Sequence, residues 1–204
     1  MKIDAILFDA DGVVQRPFAA RRDAWLELLG SGRDVDKFVA AIFEVEELAL
    51  EGQADFIEGL SSILAEWGCQ GTVDDALVAW TMIEVDAEIA EIVRSLRRGG
   101  LKCCLATNQE PHRADYMSAK LRYAELFDKE FYSCRMGVMK PAGAYFRAIL
   151  NNIDIPAGNV LFLDDHRINV DAARETGIHA AEFRLEAGLG ELVRILRSFE
   201  IHVV

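Results

Sequence analysis

The chain has 204 residues, of which 51% are hydrophobic, and a formal net charge of −12. That length suits one domain or a domain with an insertion, and the apolar fraction excludes extensive disorder. The charge disfavours nucleic acid and anionic membrane surfaces, so no nucleic acid and no membrane are expected as partners.

Ile3 to Phe8 is a short apolar run, expected to form a parallel strand buried on both faces, and Asp9, Asp11 and Gly12 stand at its end. Side chains two apart on an extended chain share a face, so the two carboxylates can converge on one ligand. An Asp-Gly turn with two solvated acids is the plain alternative. Val14 to Phe18 reads as a connector broken by Pro17. From about Ala20 to Ile83 apolar residues recur at helical spacing only, in four segments. These are Arg21 to Leu29, Val35 to Ala49 with Asp34 as N-cap, Phe56 to Trp67 begun by Asp55, and Val73 to Met82. The expectation is an all-helical insertion over 16–83.

From Asp86 strands and helices alternate. Ala87 to Arg98 reads as a helix, and Leu101 to Ala106 as a strand ending in Thr107 and Asn108. A helix from Pro111 to about Tyr123 and a strand within Phe127 to Cys134 follow. Pro141 opens a helix from Ala142 to Leu150, and Val160 to Leu163 is a strand ending in Asp164 and Asp165. Ile168 to Thr176, Ile178 to Phe183 and Gly190 to Phe199 read as helix, strand and helix, while Ile201 to Val204 fits a last strand or a tail equally. The fold class is α/β, a doubly wound parallel sheet with a Rossmann-like core formed by 1–15 and 84–204. Cys69, Cys103, Cys104 and Cys134 fit no zinc spacing and read as reduced thiols. No run approaches the roughly 20 apolar residues that span a bilayer, no signal-peptide pattern opens the chain, and a cytoplasmic location is expected.

In a parallel sheet the carboxyl ends of the strands lie along one edge, where open α/β sheets bind their ligands. Asp9, Asp11, Thr107, Asn108, Asp164 and Asp165 are all expected there, with Lys140 in the loop before Pro141. Four carboxylates in one crevice cannot all stay ionised without countercharge. A divalent cation together with Lys140 supplies it, and oxygen donors of this kind suit Mg²⁺.

Four stretches, in this order, resemble the motifs of the haloacid dehalogenase-like hydrolases: Phe8-Asp9-Ala10-Asp11-Gly12-Val13, Ala106-Thr107-Asn108, Lys140-Pro141 and Leu163-Asp164-Asp165. The helical insertion is similar to that family's small cap. The resemblance implies that Asp9 is the nucleophile and Asp11 the general acid and base. It makes Thr107 a ligand of the transferring phosphoryl group, with Asn108 beside it, and Lys140 the cation on nucleophile and phosphate. Asp165 would bind the metal with Asp9 and the backbone carbonyl of Asp11, and Asp164 would hold Lys140 or serve as a further metal ligand. Asn169 stands where some relatives carry another Asp, which leaves the surroundings of the metal open.

Members that attack carbon lack the second Asp of the first motif, and this chain has it as Asp11. A Mg²⁺-dependent phosphatase acting on a small phosphorylated metabolite is therefore expected. A phosphotransferase or sugar phosphomutase using the same intermediate is the near alternative, and a catalytically idle binding protein is the alternative of another class. Glu51 and Gln53, in a turn between cap helices, are candidate substrate-binding residues. Arg16, Arg21 and Arg22 fit either an anionic substrate at the cap junction or a solvated helix face. His112 and His166 read as helix-start residues outside the chemistry. A monomer or homodimer is expected.

Overall fold

The structure, a computed structural model, describes residues 2–203. In chain order β1 (Ala5–Phe8) is followed by β2 (Gln15–Pro17). Four helices come next: α1 (Arg21–Leu29), α2 (Val35–Ala49), α3 (Phe56–Glu66) and α4 (Val73–Trp80). After β3 (Ile83–Val85) and α5 (Ala87–Arg98) the chain runs through β4 (Lys102–Thr107), α6 (Pro111–Ala119), α7 (Tyr123–Leu126), β5 (Lys129–Tyr132) and α8 (Ser133–Met136). It ends in α9 (Gly143–Ile153), β6 (Val160–Asp164), α10 (Arg167–Glu175), β7 (His179–Glu182) and α11 (Leu189–Ser198).

β1 is the middle strand of a five-stranded parallel sheet ordered β5-β4-β1-β6-β7, with Phe8 in register with Leu105 and Leu163. Strand side chains alternate between the two faces. Ile6, Phe8, Cys103, Leu105, Leu161 and Leu163 join the apolar layer under α5, α6, α7 and α11. Ala5, Leu7, Cys104, Ala106, Val160 and Phe162 join the layer under α9 and α10. Cover on both faces is why these strands read as continuous apolar runs. Burial pushes the Cys104 thiol up to about 12, and all four cysteines are free.

The helices α1 to α4 have an apolar cluster of their own, built on Trp25, Phe38, Ile42, Leu60, Leu64 and Trp80. Asp34 caps α2 by accepting from the N–H groups of Asp36 and Lys37, and Asp55 caps α3 through those of Ile57 and Glu58. Thr72 and Asp75 form a capping box at the start of α4.

The connector expected over Val14 to Phe18 is instead strand β2, paired antiparallel with β3. Pro17 does not break it, because each strand of a two-stranded ribbon is an edge where a missing N–H is tolerated. The helix expected to reach Tyr123 ends at Ala119; Arg122, at φ 60°, reverses the chain and α7 starts anew. β5 stops at Tyr132 and the chain turns into α8. Ile201–Val203 forms no strand, although Ile201 is buried, and Val204 lies outside the described residues.

Candidate active site

The register of the sheet assembles the floor of the site. One residue beyond the Phe8–Leu163 pair, the Asp9 N–H donates to the Leu163 carbonyl at 2.9 Å, which brings Asp9 alongside Asp164. Lys140 reaches in between them, its Nζ 2.8 Å from Asp9 Oδ1 and 2.7 Å from Asp164 Oδ2. All three are buried. Asp9 Oδ1 also accepts from the Ala10 N–H at 2.8 Å. Burial pushes the Asp9 carboxyl up to about 7, against the pull of Lys140. The Lys140 ammonium is disfavoured by burial, but Asp9 and Asp164 outweigh this and hold its pKa above the usual value.

Asp164 takes the supporting place beside Lys140. Asn169 Nδ2 lies 3.1 Å from both of its oxygens, and the His166 N–H donates to Oδ1 at 2.8 Å. An Asp at 169 would set a carboxylate against a carboxylate there. Asn108 holds the Lys140 loop to the end of β4: its Nδ2 donates to the Lys140 carbonyl and its Oδ1 accepts from the Lys140 N–H, each at 2.9 Å. The amide of Asn108, expected beside the substrate, therefore positions Lys140. Thr107, the last residue of β4, is buried and lines the cavity.

Asp9, Asp164 and Asp165 each offer an oxygen, and these atoms lie within 4.8 Å of one another. Asp165 Oδ1 is buried without a hydrogen-bond partner. Hard oxygens so grouped, one of them unsatisfied, fit a small divalent cation. Gly12 is required here twice over: its φ is +73°, and a Cβ on it would come within 2.6 Å of Asp165 Oδ2.

The Asp11 carboxylate is outside that group. It accepts from Arg113 Nη2 at 2.8 Å, Gln109 Nε2 at 2.7 Å and Gln15 Nε2 at 3.0 Å. Burial works against its charge, but Arg113, Gln15 and Gln109 outweigh this and hold its pKa below the ordinary value. Those three donors hold the Asp11 carboxylate, and the part of Asp11 expected at the metal is its backbone carbonyl.

Asp9, Asp11, Thr107, Asn108, Lys140 and Asp165 line one cavity of about 360 Å³, walled on the cap side by Pro17, Arg21, Phe43, Glu46 and Leu50. Glu51 and Gln53 do not line it. Gln53 Nε2 donates to Glu51 Oε2 at 3.3 Å, and the turn is seated on the core through Gly52, where a Cβ would come within 2.7 Å of the Cys134 carbonyl. Docking of the turn directs those two side chains elsewhere, and Leu50, just before it, faces the cavity instead. His166, expected to point away, also lines the cavity, with Nε2 3.7 Å from Asp165 Oδ1.

The family model described as haloacid dehalogenase-like hydrolase matches residues 3–177. The chain belongs to the haloacid dehalogenase-like hydrolases. It is 31% identical over 94 residues to the sesquiterpene phosphatase astK of Aspergillus oryzae, a match covering 46% of this chain and 47% of that protein. It is 26% identical over 131 residues to the drimenol cyclase drtB of Aspergillus calidoustus, covering 62% of this chain and 25% of that protein. The chain spans less than half the length of each curated relative it matches. Among solved structures, a family enzyme from Bacteroides thetaiotaomicron aligns at a TM-score of 0.80 and 19% identity, over 94% of this chain and 98% of that one. The same enzyme in complex with magnesium and inorganic phosphate gives 0.77 at 20% identity, over 93% and 98% of the two chains. At these identities the likeness is one of fold.

For this hydrolase the residues missed in sequence are those around Asp11. Gln15 is fully buried, held by Tyr123 Oη donating to its Oε1 at 2.8 Å, and Gln109 and Arg113 are buried as well. Polar residues in an apolar setting were the available signal, but only the fold shows that the setting is apolar. No helix among the described residues is long and apolar enough to cross a membrane.

Proposed function

We propose that this hydrolase is a Mg²⁺-dependent phosphatase that cleaves a small phosphomonoester through an aspartyl-phosphate on Asp9. The observation that carries the reading is the contrast between Asp9 and Asp11 in one cavity. The first is buried on a lysine, and the second is held ionised by an arginine and two amides. Asp9, against Lys140 and beside the carboxylates that could hold a metal, is placed to attack, and Asp11, held by three donors outside that group, is placed to move protons. The relative named a sesquiterpene phosphatase and the neighbour in complex with magnesium and phosphate support the same reaction class.

Asp9 attacks phosphorus as the bond to the alcohol oxygen breaks, and Asp11, protonated for this step, gives that oxygen its proton. Asp11 then accepts a proton from water as the water oxygen attacks phosphorus, which frees Asp9 and inorganic phosphate. Lys140 stays on Asp9 and Asp164, and Thr107 contributes a hydroxyl to the phosphoryl oxygens. A Mg²⁺ held by Asp9 and Asp165, with Asp164 beside them, would supply the positive charge that keeps Asp9 ionised and offsets the phosphate. The ion pair with Arg113 favours the ionised Asp11 that the second step needs. The first step needs a proton on Asp11, so that contact must loosen in the substrate complex.

The test is phosphate release from p-nitrophenyl phosphate and a panel of phosphorylated metabolites with Mg²⁺, by wild type and Asp9→Asn. Wild type should turn over, acid quench should trap phosphate on the peptide carrying Asp9, and Asp9→Asn should show neither. Failure of the wild type on every ester would overturn the reading.

A further inference from the structure

The cavity has a second charged wall that the reaction above does not use. Arg21 begins α1 and Arg113 lies in α6; they are 8% and 3% exposed, and both line the cavity that holds Asp9. Trp80 fixes the pair. The guanidinium carbons lie 5.0 Å (Arg21) and 5.3 Å (Arg113) from the centre of its ring, and its Nε1 is tied to Glu110 Oε1 at 3.1 Å. Arg113 Nη2 donates to Asp11, but Arg113 Nε has no partner, and neither do Nε and Nη2 of Arg21. Buried guanidinium N–H groups are costly to leave without an acceptor.

The nearby acids do not balance this wall. Glu110 accepts from the His112 and Arg113 N–H groups and from Trp80. Burial pushes the Glu46 carboxyl up to about 8, against the pull of Arg113, and no hydrogen bond joins it to either guanidinium among the described residues. Arg21 is pushed down to about 10, by burial and then by the charge of Arg113. Among the described residues Asp11 is the one carboxylate hydrogen-bonded to either guanidinium. The other arginines of the cap junction are different: Arg16 pairs with Glu84 and Asp86 and Arg22 with Asp36, all at the surface.

We infer that Arg21 and Arg113 form a second anion site, which binds a carboxylate or a second phosphoryl group at the far end of the alcohol whose phosphate is transferred at Asp9. This rests on the phosphatase reading and specifies its substrate class as a phosphomonoester with a second anionic end. The bound anion meets the two guanidiniums where they line the cavity and competes with Asp11 for Arg113.

The test is a panel of esters on linear alcohols of two to six carbons, whose far end is a hydroxyl, a carboxylate or a second phosphate. With Mg²⁺ and wild type, an anion-ended member at the best length should exceed its hydroxyl-ended partner in kcat/KM about 10- to 100-fold, the scale of hydrogen bonds to a charged group. Which arm wins separates carboxylate from phosphate. Arg21→Met should bring the ratio towards one, chiefly through KM, and Arg21→Lys should restore part of it. Wild-type turnover with no preference at any length overturns the second site and leaves the phosphatase reading standing, as does an unchanged ratio in Arg21→Met. No turnover of any member or of p-nitrophenyl phosphate overturns both. The wild-type panel decides without a variant, so misfolding of Arg21→Met does not shelter the inference.

Discussion

At the floor of the cavity Lys140 sits between Asp9 and Asp164 at 2.8 and 2.7 Å, and Asn169 and the His166 N–H complete the surroundings of Asp164. At the cap-side wall two guanidiniums share one tryptophan ring, and three of their nitrogens have no partner. Both regions bury charge. The floor is built from adjacent strand ends and one loop, so backbone register brings Asp9 and Asp164 to Lys140 and leaves Asp165 open to a cation. The wall is built where cap helices meet α6, and no ladder of hydrogen bonds sets its pairing. The paired charge of Lys140, Asp9 and Asp164 holds the machinery in place, whereas incompletely paired charge, at Asp165 and at the wall, leaves room for a ligand to complete it.

The largest effect should come from breaking the floor. Lys140→Met leaves Asp9 and Asp164 buried without their shared cation, a change of the kind that costs about 3–5 kcal/mol. The loss should be largest near pH 8 without metal and should shrink below about pH 6. Burial already pushes Asp9 up to about 7, and at low pH it can take up a proton and become neutral. Urea unfolding of wild type and variant at the two pH values measures this. Equal stability at pH 8 would show that the floor does not depend on its lysine.

A smaller effect sharpens the comparison from the side of Asp165, the floor residue whose buried Oδ1 has no hydrogen-bond partner. At about a hundred times its dissociation constant, Mg²⁺ should stabilise the fold by about 2.7 kcal/mol. For a chain of this size that is a rise in melting temperature of about 5–11 °C, at roughly 2–4 °C per kcal/mol. NaCl at matched ionic strength controls for screening. Asp165→Ala should lose most of the Mg²⁺-specific part, and the same shift in both proteins would remove Asp165 from the metal site.

The difference between the regions also explains how far the sequence could be read. Strand ends after apolar runs put Asp9, Thr107, Asp164 and Asp165 on one edge, and the sheet order makes that edge one place. The holding of Lys140 by Asp164 follows from the same register. The antiparallel pair β2–β3 escaped notice because strands of three residues carry too short a pattern to show a period, and Pro17 argued against one. Glu46 lies 25 residues after Arg21 in the cap, and Arg113 lies 67 residues further on, in the core. Their meeting depends on how helices dock, which hydrophobic periodicity does not encode. The turn at Glu51 and Gln53 shows the same limit: its place between cap helices was legible, and its contact with Cys134 was not.

The smallest effect tests whether the wall is really underpaired. Glu46 faces Arg113, Asp11, Glu110 and Arg21, and burial pushes its carboxyl from an ordinary 4.5 up to about 8. A carboxyl raised in the folded state binds its proton there after the unfolded chain has released it. Stability is therefore fully present below about pH 4.5 and is lost as pH rises towards 8. Glu46→Gln keeps the shape and removes the titration, so its stability relative to wild type should increase across that window. Between pH 7 and 8 the gain should be about 1 kcal/mol, given a limit of about 1.4 kcal/mol per pH unit. Chemical denaturation of both proteins at pH 7 and at pH 8 measures the difference. If the difference is the same at both pH values, Glu46 is ionised throughout and balances the second guanidinium. The wall would then be as fully paired as the floor, and an anionic substrate end would have to displace Glu46 to bind there.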